Sequence, residues 1–270
     1  MPGFNSYLFW EEDYRSCESE FLEFLTYVPL SDDHYNVWSL KLANQLLLIG
    51  SSIDSFFKSA LYSLRKKWIY NHIESNKYYS IGLDLGEGFR WFCYNGIGYI
   101  EEDFKDESDF YCKLLKDAQP NMGLYREMFE DYYHLSSKSV YVLRTEEELR
   151  PFQEWEDGRS PEWWKIYTDL KHSKFQNKKN ATLKTVLDSL SALFLLNVYH
   201  IDNRKFLANH GILRGNINLN HPEFLNSREK IDTLEPIIAK TDLFGYVWDT
   251  NGHWTEYPWS ILNPGNVYGL

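Results

Sequence analysis

Apolar side chains recur at spacings of three and four residues near the start of the chain, and they predict one long helix. On an α-helix these positions form a continuous stripe, so we expect an amphipathic helix near residues 33–70. Ser31, Asp32 and Asp33 offer side-chain acceptors just before it, which favours a helix start there. Gly50 lowers helix stability and indicates a close contact with another helix. The stripe consists of Trp38, Leu42, Leu46, Ile49, Ile53, Phe56, Ala60 and Leu64.

A second apolar pattern, from Ala181 to Val198, predicts a helix near 180–200. Its stripe widens along the helix until nearly every face is apolar. A helix that is apolar all round belongs in the middle of a bundle or at a subunit interface. Because bundles often bury such a helix against a second copy of the chain, we expect a homodimer.

Shorter helices are expected between and before these two. One covers 17–28 and ends before Pro29. Another opens at Pro161, since proline suits the first turn of a helix. Thr145 and Glu148 have the Thr-x-x-Glu spacing of a capping box, which predicts a short helix there. Helical periodicity also covers 107–117 and 122–135.

Extended structure is expected in three places. Glycines interrupt an aromatic run at 89–94, so 76–105 is predicted to form strands or an ordered loop. The β-branched stretch at 139–143 predicts a short strand. Residues 244–249 and 253–257 flank an Asn-Gly pair, which is typical of a β-hairpin with a type I′ turn. The sequence therefore predicts a mainly α protein with small β additions.

Charge and composition narrow the possible functions. The net charge is -11, which argues against a broad nucleic-acid-binding surface but leaves room for a local basic patch. Cys17, Cys93 and Cys112 are widely spaced without a CxxC pair, so no disulfide framework and no zinc site is predicted. The first residues do not resemble a signal peptide, and the apolar stretch Leu193–Val198 is too short to cross a bilayer. We expect a cytoplasmic protein with no membrane association and no cofactor.

The most basic local segment lies between the two long helices and carries the candidate chemistry. On a helix, Tyr167, Lys171 and Lys174 share one face, with Trp163 and Trp164 beside it. His172 follows Lys171 directly. Lysines and a histidine among aromatic rings can hold a phosphodiester and move a proton. The alternative is a helix end whose cations complement the macrodipole.

Two other groups of polar residues deserve a functional test. Asp54 and Lys58 are spaced i, i+4 on the early helix, where a solvated ion pair is the simpler interpretation. His134 with Glu130 and Asp131 would be needed for a metal-dependent hydrolase. No metal-binding spacing such as HExxH accompanies them, so this is the weakest of the functional hypotheses.

The arrangement resembles the HEPN superfamily of small helical bundles. The resemblance rests on the early helix segment Leu46–Lys58, on Trp163-Trp164-Lys165-x-Tyr167-x-x-x-Lys171-His172, and on Ala181-Thr182-Leu183 opening the late helix. It implies an N-terminal segment at 1–30 and a HEPN-like helical bundle at 31–205 with a Gly/aromatic-rich insertion at about 76–119. The C-terminal extension at 206–270 would contain the hairpin.

Membership would imply a dimeric bundle of prokaryotic defence or toxin–antitoxin type, and many such proteins are metal-independent endoribonucleases acting on RNA. His172 would then accept a proton from a ribose hydroxyl, Lys171 would stabilise the phosphate, and Asp54 would orient the basic groups. Lys58, Tyr167, Lys174 and Trp164 would bind substrate.

The family's Arg-x(4–6)-His motif is replaced here by the adjacent Lys171-His172. Two other pairs, Arg65 with His72 and Arg204 with His210, match the loose spacing at the far ends of the long helices. The alternative is a non-catalytic dimeric sensor or scaffold. It would bind nucleic acid or a protein partner encoded nearby.

Overall fold

The computed structural model describes residues 5–75, 83–84, 89–94, 99–104, 121–215, 237–248 and 262. The described chain is mainly α, as the hydrophobic pattern predicts, and it includes a five-stranded antiparallel sheet. The α-helices are α1 (Ser16–Phe24), α2 (Leu40–Ser75), α3 (Met122–Tyr133), α4 (Glu162–His172), α5 (Lys174–Asn177), α6 (Leu183–Tyr199) and α7 (Arg204–Asn209). A π-helical segment, Leu8–Arg15, leads into α1.

The long early helix α2 begins later than the sequence predicts. Residues 31–36 form turns, and the backbone N–H of Leu42 donates to the Ser39 hydroxyl oxygen at 3.1 Å, so Ser39 provides the N-cap. The predicted cap at Ser31–Asp33 is therefore wrong. The intervening segment is held elsewhere, because the N–H of Leu183 donates to the carbonyl of Val37 at 2.8 Å.

The late helix α6 confirms its predicted position and its apolar character. Thr182 caps it by accepting a hydrogen bond from the N–H of Thr185 at 3.3 Å. Every residue from Thr185 to Tyr199 is buried except Asp188, which is half-buried with a side chain that is 30% exposed. Phe194 contacts Tyr14 of the π-helical segment on one side, with ring centroids 5.7 Å apart. The chain itself thus covers this helix, and its apolarity is explained without a second subunit.

The strands form two antiparallel sheets. They are β1 (Leu83–Asp84), β2 (Phe89–Tyr94), β3 (Tyr99–Phe104), β4 (Val140–Val142), β5 (Glu147–Leu149), β6 (Leu213–Arg214), β7 (Ile237–Lys240) and β8 (Phe244–Trp248). The first three pair in the order β1-β2-β3, and the others in the order β5-β4-β8-β7-β6. Strand β8 is buried along its length, and its Phe244 packs on Phe194 of α6 with ring centroids 5.6 Å apart.

The described contacts group into two compact units. The smaller comprises Met1–Phe4 and Phe57–Met128, and it includes the β1-β2-β3 sheet that the glycine and aromatic pattern predicted as strands. The larger comprises Asn5–Phe56 and Phe129–Leu270, and it contains α6 and the five-stranded sheet.

Two local predictions differ from the structure or extend beyond it. The capping-box segment at 145–148 does not open a helix. Glu146 has a φ of 58°, in a tight turn, and β5 follows it and pairs with β4. The predicted strand at 244–249 matches β8, whose described neighbours are β4 and β7. Its predicted Asn251-Gly252 turn lies outside the described residues, as does the expected helix at 107–117.

Among the helices in the described ranges, none combines the length with the apolarity that a bilayer span requires.

Candidate functional site

The segment 35–38 and the start of α6 run antiparallel and form the base of the candidate site. The N–H of Lys184 donates to the carbonyl of Tyr35 at 3.1 Å, and Trp38 forms an isolated antiparallel bridge with Thr182. This pairing fixes the Trp38 ring beside the residues that precede α6. It is a contact between positions more than 140 residues apart in the sequence.

A cationic surface with two aromatic rings covers this base. We call it the lysine surface, and it consists of Lys171, Lys174, Phe175, Lys178, Lys179 and Trp38. All of these except the half-buried Lys178 are exposed. From residue 171 to residue 184 the chain has five lysines and no aspartate or glutamate. A chain of net charge -11 therefore presents one locally basic face, as its sequence predicted.

Each lysine of this surface has a defined neighbour. Lys174 Nζ donates to Asn44 Oδ1 at 2.6 Å, which joins α5 to α2. Lys171 Nζ lies 5.6 Å from the centre of the Tyr167 ring. Lys178 and Lys179 each place Nζ 5.9 Å from the centre of the Trp38 ring, and such cation–π contacts hold the ammonium groups without neutralising them.

Tyr167 is buried in the contact between α4 and α2. It is only 3% exposed, and its ring lies directly on Gly50, which confirms the close helix contact that Gly50 predicted. Trp164 is half-buried beside it, with ring centroids 5.1 Å apart. Tyr167 therefore has little surface to offer a substrate, and its visible role is to support Lys171.

His172 is the last residue of α4 and is exposed. In the described part of the chain its ring makes no hydrogen bond. It lies five positions after Tyr167, which is a rotation of about 140° around the helix axis. Because Tyr167 faces α2, His172 points away from α2 and toward solvent near the lysine surface. Sequence adjacency to Lys171 thus does not place the two side chains on the same face.

Asp54 and Lys58 lie farther along α2. The contacts of Gly50 with Tyr167 and of Asn44 with Lys174 show that α2 runs antiparallel to the 167–174 segment. Asp54 is half-buried and stands ten residues beyond Asn44, or roughly 15 Å along the helix. Lys58 is exposed one turn further on. The structure therefore places Lys171 and Lys174 at one end of the helix contact, with His172 at the end of α4, and leaves Asp54 at the other end.

A second polar cluster, which the sequence analysis did not single out, lies on the other side of the 35–38 segment. Lys184 Nζ is 2.7 Å from Asp188 Oδ1 and 3.3 Å from Glu147 Oε1, and the Tyr35 hydroxyl donates to Glu147. Burial raises the pKa of Asp188 to about 6, although Lys184 opposes the shift. The i, i+4 spacing of Lys184 and Asp188 was visible in the sequence, whereas the approach of Glu147 required the β4–β5 hairpin.

Glu130, one of the residues considered for metal binding, has a structural role. Glu130 accepts hydrogen bonds from the N–H of Ser136 at 2.9 Å and from its hydroxyl at 2.6 Å. Among the side chains that the structure describes, no three His, Cys, Asp or Glu residues come together in a way that could hold a metal ion.

The two loosely spaced Arg/His pairs do not form an exposed site either. Arg204 is 1% exposed, whereas His210 is exposed and its Nδ1 lies 2.8 Å from the carbonyl oxygen of Phe206. The side chains of Arg65 and His72 lie outside the described residues.

No protein-family model, curated protein or solved structure matches the chain.

Proposed function

We propose that this protein binds RNA through the lysine surface. The observation that carries the proposal is the grouping of four lysines with the exposed rings of Phe175 and Trp38 in a strongly acidic chain. Clustered ammonium groups neutralise phosphates, and exposed rings give bases a surface on which to stack. The resemblance to HEPN proteins, many of which act on RNA, supports the same conclusion.

The negative charge elsewhere on the chain makes this binding sensitive to salt. Each phosphate that a lysine neutralises on a single strand contributes about 0.7 to the slope of log affinity against log salt concentration. Four lysines would therefore give a slope of about -3. If RNA instead bound non-specifically over the whole protein surface, its affinity would not depend on these four lysines.

The test measures the affinity for a labelled RNA at several salt concentrations. The paired change Lys178→Gln with Lys179→Gln should weaken binding and reduce the steepness of the slope by about 0.7 for each lysine. Lys165→Gln provides the matched control, because Lys165 is an exposed lysine of α4 that lies outside the lysine surface and pairs with Glu162 at 3.3 Å. Equal binding by the wild type and the double variant would contradict the proposal.

A second candidate function is metal-independent RNA cleavage, and the observation that favours it is the position of His172. An exposed imidazole at the end of α4 is accessible to a bound strand and can accept the proton of a ribose 2′-hydroxyl, while Lys171 and Lys174 on the adjoining face stabilise the phosphate. Asp54 is too far along α2 to orient this histidine by contact. The reaction would then depend on His172 and the lysines without Asp54.

Cleavage is tested by incubating mixed RNA with the protein in excess chelator. His172→Ala should abolish turnover, whereas His210→Ala, which changes another exposed histidine, should leave it unchanged. Activity that survives His172→Ala would overturn this candidate. RNA binding without turnover in the wild type would instead favour the non-catalytic sensor or scaffold.

Dimer formation is a separate part of the proposal and follows from the HEPN resemblance. Because α6 is covered within its own chain, a dimer has to use another surface. Light scattering distinguishes the states, since a mass equal to one 32.2 kDa chain at all concentrations would exclude a dimer.

A further inference from the structure

Phe175 is the most exposed of the large apolar side chains that the structure describes. It is 90% exposed, whereas Tyr27, the next in order, is 79% exposed. Phe175 contributes almost nothing to the core, and a phenyl ring left in water gains none of the free energy that its transfer to an apolar environment would provide. Its position therefore needs an explanation other than folding.

The surroundings of Phe175 are polar and cationic. Lys174 and Gln176 flank it in the sequence, and the chain runs from α5 directly into a 3-10 turn at Lys178–Asn180. Lys178 and Lys179 follow Phe175 by three and four residues, in the 3-10 turn that continues from α5. An exposed ring in such surroundings is unlike a protein-docking patch, where apolar residues adjoin one another.

The ring of Trp38 belongs to the same surface. It is 38% exposed, and the ammonium groups of Lys178 and Lys179 lie over it. The lysine surface thus combines ammonium groups with two accessible rings, one nearly free in water and one partly covered. A single strand offers a partner to both, because its phosphates attract cations and its unpaired bases stack on rings.

We propose that Phe175 is a stacking site for an unpaired base and that it makes the lysine surface selective for single strands. This inference rests on the proposed RNA binding. In a duplex the faces of the bases are covered by neighbouring bases, so a duplex offers the lysines its phosphates and offers Phe175 nothing. Phenylalanine has no hydrogen-bonding group, so the selection is by base accessibility and not by base identity.

The experiment compares a single-stranded RNA with a blunt duplex of the same sequence. The wild type should bind the single strand at least about tenfold more tightly. Phe175→Ala should lower the single-strand affinity at least about fivefold, the lower limit expected for one lost stacking contact, and should change duplex affinity less than about twofold. Phe175→Trp should restore single-strand binding, whereas Phe175→Leu, which is apolar but has no aromatic face, should behave as the alanine variant.

Tyr27→Ala is the matched control, because Tyr27 is a similarly exposed ring that lies outside the lysine surface. It should leave both affinities unchanged. The stacking role would be overturned if Phe175→Ala lost single-strand and duplex affinity equally, or if Phe175→Leu bound the single strand as tightly as the wild type. Lysine-dependent RNA binding would stand in either case. If the wild type bound neither RNA, the proposed function and this inference would both fail.

Discussion

Tyr167 lies so close to Gly50 that no side chain fits between them. A β-carbon built at Gly50 would be 2.2 Å from Cδ2 and 2.4 Å from Cγ of the tyrosine ring. These are the atoms nearest the tyrosine backbone, so the ring cannot swing away without moving α4. This contact sets the distance between α2 and α4 and supports Lys171 above the ring.

Gly50→Ala should therefore destabilise the protein, although alanine favours helix formation. Overpacking costs about 1–3 kcal/mol, and the gain in helix propensity is about 1 kcal/mol, so we expect a net loss of up to about 2 kcal/mol in the free energy of unfolding. Urea denaturation measures it. Ser51→Ala, at the exposed neighbouring position, should change stability by less than about 0.5 kcal/mol.

A double-mutant cycle tests whether the ring is the cause. In a Tyr167→Ala background the space is open, so Gly50→Ala should become stabilising by about 0.5–1 kcal/mol. The same loss in both backgrounds would show that the strain lies elsewhere.

Glu18 should tolerate an amide but not an apolar side chain. Its Oε1 accepts hydrogen bonds from the Tyr14 hydroxyl at 2.8 Å, from the N–H of Leu243 at 3.2 Å, and from the Thr241 hydroxyl. The side-chain carbonyl oxygen of glutamine can take the place of Oε1. Burial already raises the pKa of Glu18, which favours its neutral form, so the loss of the negative charge costs little. We expect Glu18→Gln to stay within about 0.5 kcal/mol of the wild type, and Glu18→Leu to lose about 2–3 kcal/mol by leaving buried donors without an acceptor.

Thermal unfolding at neutral pH distinguishes the two Glu18 variants. Equal destabilisation by glutamine and leucine would mean that the negative charge, and not the acceptor oxygen, joins α1 to the β7–β8 turn.

At neutral pH, the protein with Asp188 should be less stable than the variant with asparagine at this position. Its pKa in the folded protein is about 6, above the usual 3.8, because burial outweighs the attraction of Lys184. Between pH 3.8 and about 6, the folded protein therefore binds more protons at this carboxyl group than the unfolded chain does. The contribution of Asp188 to stability falls over this range and is lost as the pH rises through about 6. Asp188→Asn should therefore be more stable than the wild type by about 1 kcal/mol at pH 8, with the difference disappearing near pH 4.

Urea denaturation of both forms at pH 4, 6 and 8 checks this sign for Asp188. A variant that is less stable than the wild type at pH 8 would show that the 2.7 Å ion pair with Lys184 outweighs burial.

His200 should make the protein sensitive to mild acid. It is fully buried, and burial, with a smaller contribution from Arg204, lowers its pKa to about 3. Its Nδ1 accepts a hydrogen bond from the N–H of Asp202 at 3.1 Å, which requires the neutral ring. The unfolded state takes up a proton near pH 6.5 and the folded state does not, so stability is complete above 6.5 and is lost as pH falls toward 3.

The slope that His200 contributes is about 1.4 kcal/mol for each pH unit below 6.5. His200→Gln retains an acceptor but does not titrate. Its deficit relative to the wild type should shrink by about 1.4 kcal/mol between pH 7.5 and pH 5.5, as measured by urea denaturation. A constant deficit over this range would mean that His200 becomes protonated in the folded protein.

The sequence by itself determined the helices whose signals are local. The apolar stripe from Leu42 to Leu64 lies within α2, Thr182 caps α6, and Pro161 precedes α4, because periodicity and capping depend on residues within one or two turns. It also located the basic segment, since lysine density needs no tertiary information.

Only the tertiary structure decided the elements whose partners are distant. Residues 35–38 left the predicted helix because they pair with 182–184, and the capping box at 145–148 became a turn and a strand because β5 pairs with β4. Local propensities differ by tenths of a kcal/mol per residue, so backbone pairing across the fold outweighs them. For the same reason Trp38 joined the lysine surface, because its segment pairs with 182–184. Asp54 did not, because the register between α2 and α4 is set by the contact of Tyr167 with Gly50 and not by either helix alone.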